Sequence, residues 1–202
     1  MLGYERRFRI DPAARNAWGV DMNRNNTFGT LFDGYIGASG SCISDVFAGP
    51  EEASEPEIKN ELWIADTFSN IKFSNNIHSF GGYFMWAPGT YLPDRGEGDA
   101  VHANIGVEKY FFEAGDRILN RIKEVRNTAI LPERTGPIAD VLYSAAGNSA
   151  DEHWYNRGVI AYSFETGADR YANTALNVAS QAGATGIRLA NHAEKARLVL
   201  AR

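Results

Sequence analysis

The sequence has little cysteine, no long apolar run and no strong excess of charge, and each shortage excludes a class of protein. Cys42 is the only cysteine among 202 residues, so no intrachain disulfide can form. No apolar run reaches the ~18 residues that a membrane-spanning helix needs. Residues 1–9 also lack the apolar core of a signal peptide. The sequence therefore predicts neither a membrane partner nor a disulfide-stabilised scaffold.

The charge balance argues against a nucleic acid partner. Lys and Arg number 20 and Asp and Glu number 25, which leaves a net charge of −5. The densest basic stretch, residues 6–9, is too short to follow a phosphate backbone. A length of 202 residues and a hydrophobic content of 44% instead suit one globular domain with a sizeable core.

Apolar periodicity predicts helices of the kind that pack on a sheet. The most regular helix spans residues 107–125, where apolar residues recur at steps of three and four. An earlier helix over residues 54–68 would be capped by Ser54, with Glu57 three residues later as in a capping box. A last helix is predicted from about Thr185. Alternation of such helices with strands is typical of α/β folds.

Several shorter segments have strand or loop patterns. Strands are predicted around residues 20–22, over 128–131, 138–143 and 157–165, with a small-residue loop over 143–155. The aromatic segment over residues 84–91, which Pro88 interrupts, is interpreted as a buried connector, with a substrate-contacting wall as the alternative.

A strand over residues 71–79 combines an apolar face with a polar one. Ile71, Phe73 and Ile77 share the first face, and Lys72, Ser74, Asn76 and His78 share the second. Gly81 and Gly82 end the pattern, so His78 lies near the carboxyl end of the strand, where open α/β sheets collect ligands. Glu165 ends another predicted strand in the same way.

His78 and Glu165 are the residue types that metal-assisted hydrolysis requires. Imidazole binds Zn²⁺, and a neighbouring carboxylate that does not bind the metal can take a proton from water. A catalytic zinc site needs three protein ligands, however, and no histidine of this chain is followed by Glu three residues later. The sequence also lacks the Gly-x-Ser-x-Gly elbow of serine hydrolases and the glycine-rich loops that bind phosphate.

The polar segment Asn23-Arg24-Asn25 has two interpretations from its residues alone. It forms either a hydrogen-bonded turn or a carboxylate clamp, because a planar guanidinium donates two parallel hydrogen bonds to one carboxylate.

Four motifs, taken in order, resemble those of the zinc carboxypeptidase family. They are Gly19-Val-Asp-Met-Asn-Arg-Asn25, Gly49-Pro with Ser54-Glu-Pro-Glu57, Asn76-Ile-His-Ser-Phe80, and Tyr143 with Gly158-Val-Ile-Ala-Tyr-Ser-Phe-Glu165. The resemblance covers nearly the whole chain and is greatest to secreted bacterial members. It implies a mixed, mostly parallel sheet flanked by helices, and an extracellular enzyme that uses Zn²⁺ to remove the C-terminal residue of peptides and proteins.

The resemblance also implies a role for each matching residue. His78 corresponds to a zinc ligand, and Glu165 to the general base that activates water. Asn23 and Arg24 match the pair that binds the terminal carboxylate of the substrate. Tyr143 matches the mobile tyrosine that closes over it. An upstream arginine should stabilise the tetrahedral oxyanion, and Arg9 is the first choice for this role, with Arg7 as the alternative.

The specificity pocket allows two interpretations. By the resemblance, Ala150 lies at the base of the pocket, where a small neutral residue implies an apolar or broad preference. A shift of one residue would instead place Asp151 there and favour substrates that end in Lys or Arg. The family often pairs a cysteine at the position of Cys42 with one at the position of Ala17, so Cys42 is expected to be a free thiol.

The chain departs from the family in one decisive feature. The first two zinc ligands of the family lie in a His-x-x-Glu motif upstream of the clamp, and this sequence contains no such motif. Residues 1–202 are therefore expected to be the C-terminal two-thirds of a single peptidase domain, inactive without the missing ligands. One alternative is a catalytically silent module that binds the carboxylates of peptide C-termini. Another is an enzyme for cell-wall peptides or amide conjugates.

Overall fold

The structure of this protein is a computed structural model, and it describes residues 19–79, 81–92, 105–126 and 134–166. The strands are β1 (Phe73–Ser79), β2 (Phe84–Trp86), β3 (Thr135–Pro137) and β4 (Ile160–Thr166). The α-helices are α1 (Pro56–Thr67), α2 (Ile105–Arg126), α3 (Ile138–Val141) and α4 (Ser149–Arg157). Short 3₁₀-helices span Met22–Arg24 and Leu31–Asp33. No helix within the described ranges has both the length and the apolar character to cross a bilayer.

The strands form one mixed sheet in the order β1-β4-β2-β3. β1 is parallel to β4 and β2 is parallel to β3, whereas β2 runs antiparallel to β4. This arrangement confirms the predicted mixed, mostly parallel sheet. The register pairs His78 with Glu165 at the carboxyl ends of β1 and β4. The two sequence-predicted strand ends therefore meet at one edge of the sheet.

Helices pack on both faces of the sheet. The apolar side chains of β2 point alternately to the two faces, so each face buries part of the core. Phe84 and Trp86 lie in an aromatic core under helix α2. The buried members of that core are Phe84, Trp86, Phe111, Leu119, Ile122, Tyr162 and Phe164. Met85 faces the opposite way and packs with Ile138 of α3 and Ala150 of α4. The strand β2 is therefore central, and the prediction of a connector over residues 84–91 was wrong for its first three residues.

Residues 149–157 form a helix, so the predicted loop over 143–155 was wrong at its second half. The Asn148 side chain caps the helix by accepting a hydrogen bond from the Asp151 N–H, and Gly158 ends it in the left-handed conformation. The predicted strand over residues 157–165 accordingly begins only at Ile160. The cap and the terminal glycine were both readable in the sequence, but the small residues before them suggested a loop.

Three further local predictions require correction. Residues 22–24 form a 3₁₀-helix and residues 138–141 a short α-helix, where strands were predicted. Helix α1 confirms the helix expected over 54–68, but its N-cap is Glu55, and no side chain caps it. The Ser54 hydroxyl instead donates to the Glu55 carboxylate and accepts from Asn25. The predicted capping box is therefore absent.

The apolar face of β1 remains in contact with solvent. Phe73 is 56% exposed and Ile77 is 40% exposed, and within the described ranges β1 pairs only with β4.

Four predictions fall outside those ranges: Arg7 and Arg9, Ala17, the strand over 128–131 and the helix from Thr185. The predicted helix over 107–125 is confirmed as α2.

Candidate active site

A cleft of about 160 Å³ opens at the carboxyl ends of β1 and β4. We refer to it as the strand-end cleft. It brings together five of the sequence-predicted site residues, namely Asn23, Arg24, His78, Tyr143 and Glu165. Its remaining lining residues are Asp21, Val46, Met85, Ile138, Leu142, Ala145, Asn148 and Ser163.

His78 and Glu165 face each other across the edge of the sheet. The His78 Nδ1 lies 3.9 Å from Glu165 Oε1. The His78 Nε2 is buried and has no hydrogen-bond partner within the described ranges. A buried imidazole nitrogen without a partner is the feature expected of a metal ligand or of a group that contacts substrate.

Burial controls the protonation of both side chains. Desolvation lowers the pKa of His78, while the nearby Asp21 raises it and Arg24 lowers it. Desolvation raises the pKa of Glu165, and the Arg24 charge opposes that shift. A neutral imidazole can bind a metal ion, and a carboxylate with a raised pKa is a stronger base for water.

The Arg24 guanidinium is held so that one nitrogen remains available to the cleft. Its Nε donates to the carbonyl oxygen of Gly37 at 2.8 Å, and its Nη1 donates to the carbonyl oxygen of Asn23 at 2.8 Å. Asp21 lies 3.8 Å from Nη1 and supplies a counter-charge. No hydrogen bond engages Nη2 within the described part of the chain. These two fixed nitrogens orient Nη2, from which an anion in the cleft can accept a hydrogen bond.

Asn23 presents its amide group to the same cleft. Its Oδ1 accepts hydrogen bonds from the backbone N–H of Ser149, at 3.0 Å, and from the Asn76 side chain. Because the oxygen is occupied on one side, the Nδ2 group is left as a donor. The turn interpretation of residues 23–25 is therefore confirmed, and the clamp interpretation stays a prediction. The hydrogen-bonded turn is what orients two donors.

A close approach of the Gly147 backbone to the Arg24 backbone fixes the position of Arg24. A Cβ atom at Gly147 would lie 2.5 Å from the carbonyl oxygen of Arg24, and Gly147 has a φ of +73°. A side chain is excluded at this position on both counts.

The family profile for zinc carboxypeptidases matches residues 4–181. This chain belongs to that family. Carboxypeptidase A2 of Rattus norvegicus is 31% identical over 163 residues, which is 79% of this chain and 34% of the relative. Carboxypeptidase B of Astacus astacus is 32% identical over 136 residues, or 66% of this chain and 39% of the relative. The chain thus spans about a third of the length of these curated relatives.

Solved carboxypeptidase structures share the fold. Carboxypeptidase A of Helicoverpa armigera superposes with a TM-score of 0.56 at 24% identity, covering 91% of this chain and 43% of that one. Bovine thrombin-activatable fibrinolysis inhibitor, solved with a tick carboxypeptidase inhibitor, gives a TM-score of 0.57 at 20% identity. That match covers 90% of this chain and 57% of the other.

Ala150 and its alternative, Asp151, do not line the cleft directly. Ala150 is 1% exposed and packs with Met85 and Ala145, which both line the cleft. It therefore lies behind the wall of the cleft. The alternative pocket residue, Asp151, is fully buried and accepts hydrogen bonds from the Gly89 N–H and the Asn148 amide. Arg9 lies outside the described residues.

Tyr143 is an exposed lining residue of the cleft. Its side chain is 51% exposed, and the Arg24 guanidinium carbon lies 5.9 Å from the centre of its ring. This distance is within the range of a cation–π contact. The structure therefore places the ring of Tyr143 beside Arg24 at the cleft.

Sequence reasoning missed the supporting role of Asp21. Its carboxylate accepts a hydrogen bond from the Asn23 N–H at 3.0 Å, lies 3.8 Å from Arg24 Nη1 and acts on the charge of His78. The signal was present, because Asp21 belongs to the motif around Asn23 and precedes it by two residues, the spacing of an Asx-turn.

The described residues do not by themselves form the zinc site of a carboxypeptidase. No group of three His, Cys, Asp or Glu side chains that could hold a metal ion occurs within the described ranges. The free Nε2 of His78 fits one ligand position of such a site. The donor set present therefore provides one ligand where a catalytic zinc requires three.

Proposed function

We propose that this chain carries the substrate-binding and proton-accepting part of a zinc carboxypeptidase, which hydrolyses the C-terminal peptide bond of peptides. One observation supports the proposal above all. Asn23 and Arg24, which neighbouring backbone groups hold in place, line the same cleft as Glu165 and His78, and His78 Nε2 has no hydrogen-bond partner within the described residues. A site that binds a terminal carboxylate beside a base is what removal of one C-terminal residue requires.

Each side chain has a distinct task in this proposal. Arg24 and Asn23 bind the terminal carboxylate of the substrate, and Tyr143 covers it. Glu165 accepts a proton from water in the cleft, which its raised pKa favours. His78 is one of three ligands to Zn²⁺, and Arg9 stabilises the oxyanion. Ala150, behind the wall of the cleft, leaves room for an apolar terminal side chain. Secretion of the enzyme is proposed on the resemblance of its motifs to those of secreted members.

A second candidate function follows from the incomplete donor set for zinc. The clamp of Asn23 and Arg24 needs no metal, because its donors are oriented by protein groups. A catalytically silent module that binds peptide C-termini would use these two residues and would not depend on Glu165.

Carboxylate binding is tested with benzoyl-glycyl-phenylalanine and its C-terminal amide in isothermal titration calorimetry. We expect the free acid to bind at least tenfold more tightly than the amide, since only the acid accepts charge-assisted bonds from Arg24. The substitution Arg24→Met should remove this preference. Arg121→Met is the matched control, because Arg121 is an arginine of α2 with a side chain that is 62% exposed. Equal binding of acid and amide would contradict both candidate functions.

Hydrolysis of the same acid, with and without added Zn²⁺, separates the two functions. The 202-residue chain is expected to bind the peptide and to leave it intact. Turnover that requires zinc and disappears in Glu165→Gln would instead establish the enzyme and overturn the expected inactivity of this chain.

A further inference from the structure

Asn76 of strand β1 contacts two of the segments that form the strand-end cleft. It lies on the polar face of the strand, two residues before His78, and is half-buried. Its Nδ2 donates to Asn23 Oδ1 at 3.4 Å and to the hydroxyl oxygen of Ser149. An amide nitrogen carries two hydrogens, so both bonds can form together. Asn76 therefore links β1 to the 3₁₀-helix that contains Asn23 and to the first residue of α4, although it does not itself line the cleft.

The donors around Asn23 determine how its amide group is oriented. The backbone N–H of Ser149 can only donate, so the atom that it meets at 3.0 Å is the Asn23 oxygen. The Asn76 atom that faces the same oxygen must be a nitrogen, because two amide oxygens in contact would repel each other. A reversed Asn23 amide would place Nδ2 against both donors. The two donors therefore select the orientation in which Oδ1 is held and Nδ2 is left for a ligand.

The second donor adds a constraint that the first cannot supply. With the Ser149 N–H alone, the amide plane of Asn23 can still turn about the line of that single hydrogen bond. The bond from Asn76 comes from another element, strand β1, and two bonds from different directions define the plane. A side chain whose rotamer is locked by such hydrogen bonds is held close to the geometry that binding requires.

We propose that Asn76 is a positioning residue for recognition of the terminal carboxylate of a peptide. It acts through Asn23, because it holds the amide group in the orientation in which Nδ2 donates to the carboxylate. This role rests on the proposed function, in which Asn23 and Arg24 bind that group. Loss of the Asn76 amide therefore weakens binding of peptides with a free C-terminus and leaves binding of amidated peptides unchanged.

Isothermal titration calorimetry with benzoyl-glycyl-phenylalanine and its C-terminal amide tests this role. In Asn76→Ala we expect the affinity for the acid to fall about fivefold, the effect of one lost hydrogen bond, and the affinity for the amide to stay at its wild-type value. Asn75→Ala is the matched control, because Asn75 lies on the opposite face of β1 and does not line the cleft. It should change neither affinity. An equal loss for acid and amide, or the same loss in Asn75→Ala, would overturn the proposal.

A double-mutant cycle shows whether Asn76 acts through Asn23. Asn23→Ala removes the group that Asn76 holds, so the addition of Asn76→Ala should cause no further loss of affinity for the acid. If Asn76 only stabilised the fold, its substitution would weaken binding equally in both backgrounds, and that result would overturn the positioning role. Urea unfolding verifies that each variant is folded. Asn76→Leu, which keeps the branched shape without a donor, takes the place of Asn76→Ala if the latter does not fold.

Arg24→Met separates a failure of this role from a failure of the proposed function. Equal binding of acid and amide by the wild-type chain, or a preference for the acid that survives Arg24→Met, would overturn the proposed function and the role of Asn76 with it. A preference that disappears in Arg24→Met but is unchanged in Asn76→Ala would overturn the role of Asn76 alone.

Discussion

Arg24 and Asn23 both line the strand-end cleft, and each has polar groups held by neighbouring atoms. The backbone carbonyls of Gly37 and Asn23 orient the guanidinium, and the N–H of Ser149 orients the amide. This arrangement fixes both donors before a ligand arrives, so little side-chain entropy remains to be lost on binding. Pre-orientation of these two side chains is what the proposed binding of a carboxylate requires.

Asp151 is a fully buried carboxyl group whose charge opposes folding. Its ordinary pKa is 3.8, and burial raises that pKa to about 7, although hydrogen bonds from Asn148 and Gly89 lower it. Between these values the native state keeps the proton that the unfolded chain has lost. The free energy of unfolding should therefore fall as pH rises from about 4 to about 7, by at most on the order of 4 kcal/mol from this group.

Urea unfolding at several pH values measures this dependence. The variant Asp151→Asn cannot titrate at this position and should show a shallower decline in unfolding free energy with pH. Asp45→Asn changes an exposed carboxylate and should reproduce the wild-type slope. If Asp151→Asn and Asp45→Asn give the same slope, Asp151 does not titrate as expected.

Helix α4 connects distant segments that form the strand-end cleft. Its first residue, Ser149, donates a backbone hydrogen bond to Asn23. One turn later, the buried Glu152 accepts bonds from the N–H and hydroxyl of Thr27. Glu152 also pairs with Arg157 at the end of the helix. Burial raises the pKa of Glu152, but hydrogen bonds from Asn156, Arg157 and Thr27 lower it by more, so the pKa lies below its ordinary value.

The approach of Gly147 to Arg24 predicts a stability defect that also impairs binding. Gly147→Ala introduces a Cβ atom 2.5 Å from the Arg24 carbonyl oxygen, at a φ of +73°. We expect a loss of about 2–4 kcal/mol in unfolding free energy from the clash and the strained backbone. Displacement of Arg24 should also weaken binding of benzoyl-glycyl-phenylalanine.

Gly158→Ala provides the control for this substitution. Gly158 has a similar φ of +62°, but a Cβ atom there meets nothing within 4 Å. It should therefore cost only about 1–2 kcal/mol through its backbone conformation and leave peptide binding intact. Chemical denaturation and calorimetry measure the two effects. The steric argument fails if both alanine variants lose the same stability and the same affinity.

At the scale of the whole molecule, large apolar side chains remain exposed along one side of the sheet. On strand β1 they are Phe73 and Ile77, and on or after helix α1 they are Trp63, Ile64 and Phe68. An apolar edge strand is a template for association with another chain. The chain alone is therefore expected to aggregate.

A single charge on β1 should reduce this aggregation. Ile77→Lys replaces a side chain that is 40% exposed, and we expect a larger monomer fraction in analytical ultracentrifugation with little change in unfolding free energy. Asn120→Lys adds the same charge at an exposed position of α2 and should not have this effect. Wild-type protein that stays monomeric and melts cooperatively would contradict the expectation.

The sequence by itself determined the regular parts of the fold and the types of the site residues. Helix α2 followed from apolar residues at steps of three and four, because such a stripe must face a core. Short motifs singled out His78, Glu165, Asn23 and Arg24 as candidates, and strand ends predicted that the first two would lie at an edge of the sheet, where the structure pairs them. Local patterns suffice for such features because they depend on neighbours in the chain.

Only the tertiary structure decided how these residues meet. The parallel pairing of β1 with β4 places His78 opposite Glu165, and helix α4 brings Ser149 to Asn23 from 126 residues away. The partner of Arg24 at Gly37, the burial of Asp151 and the exposure of Ile77 likewise depend on long-range contacts. Periodicity cannot indicate these features, since burial and hydrogen bonding are set by segments that are distant in the chain.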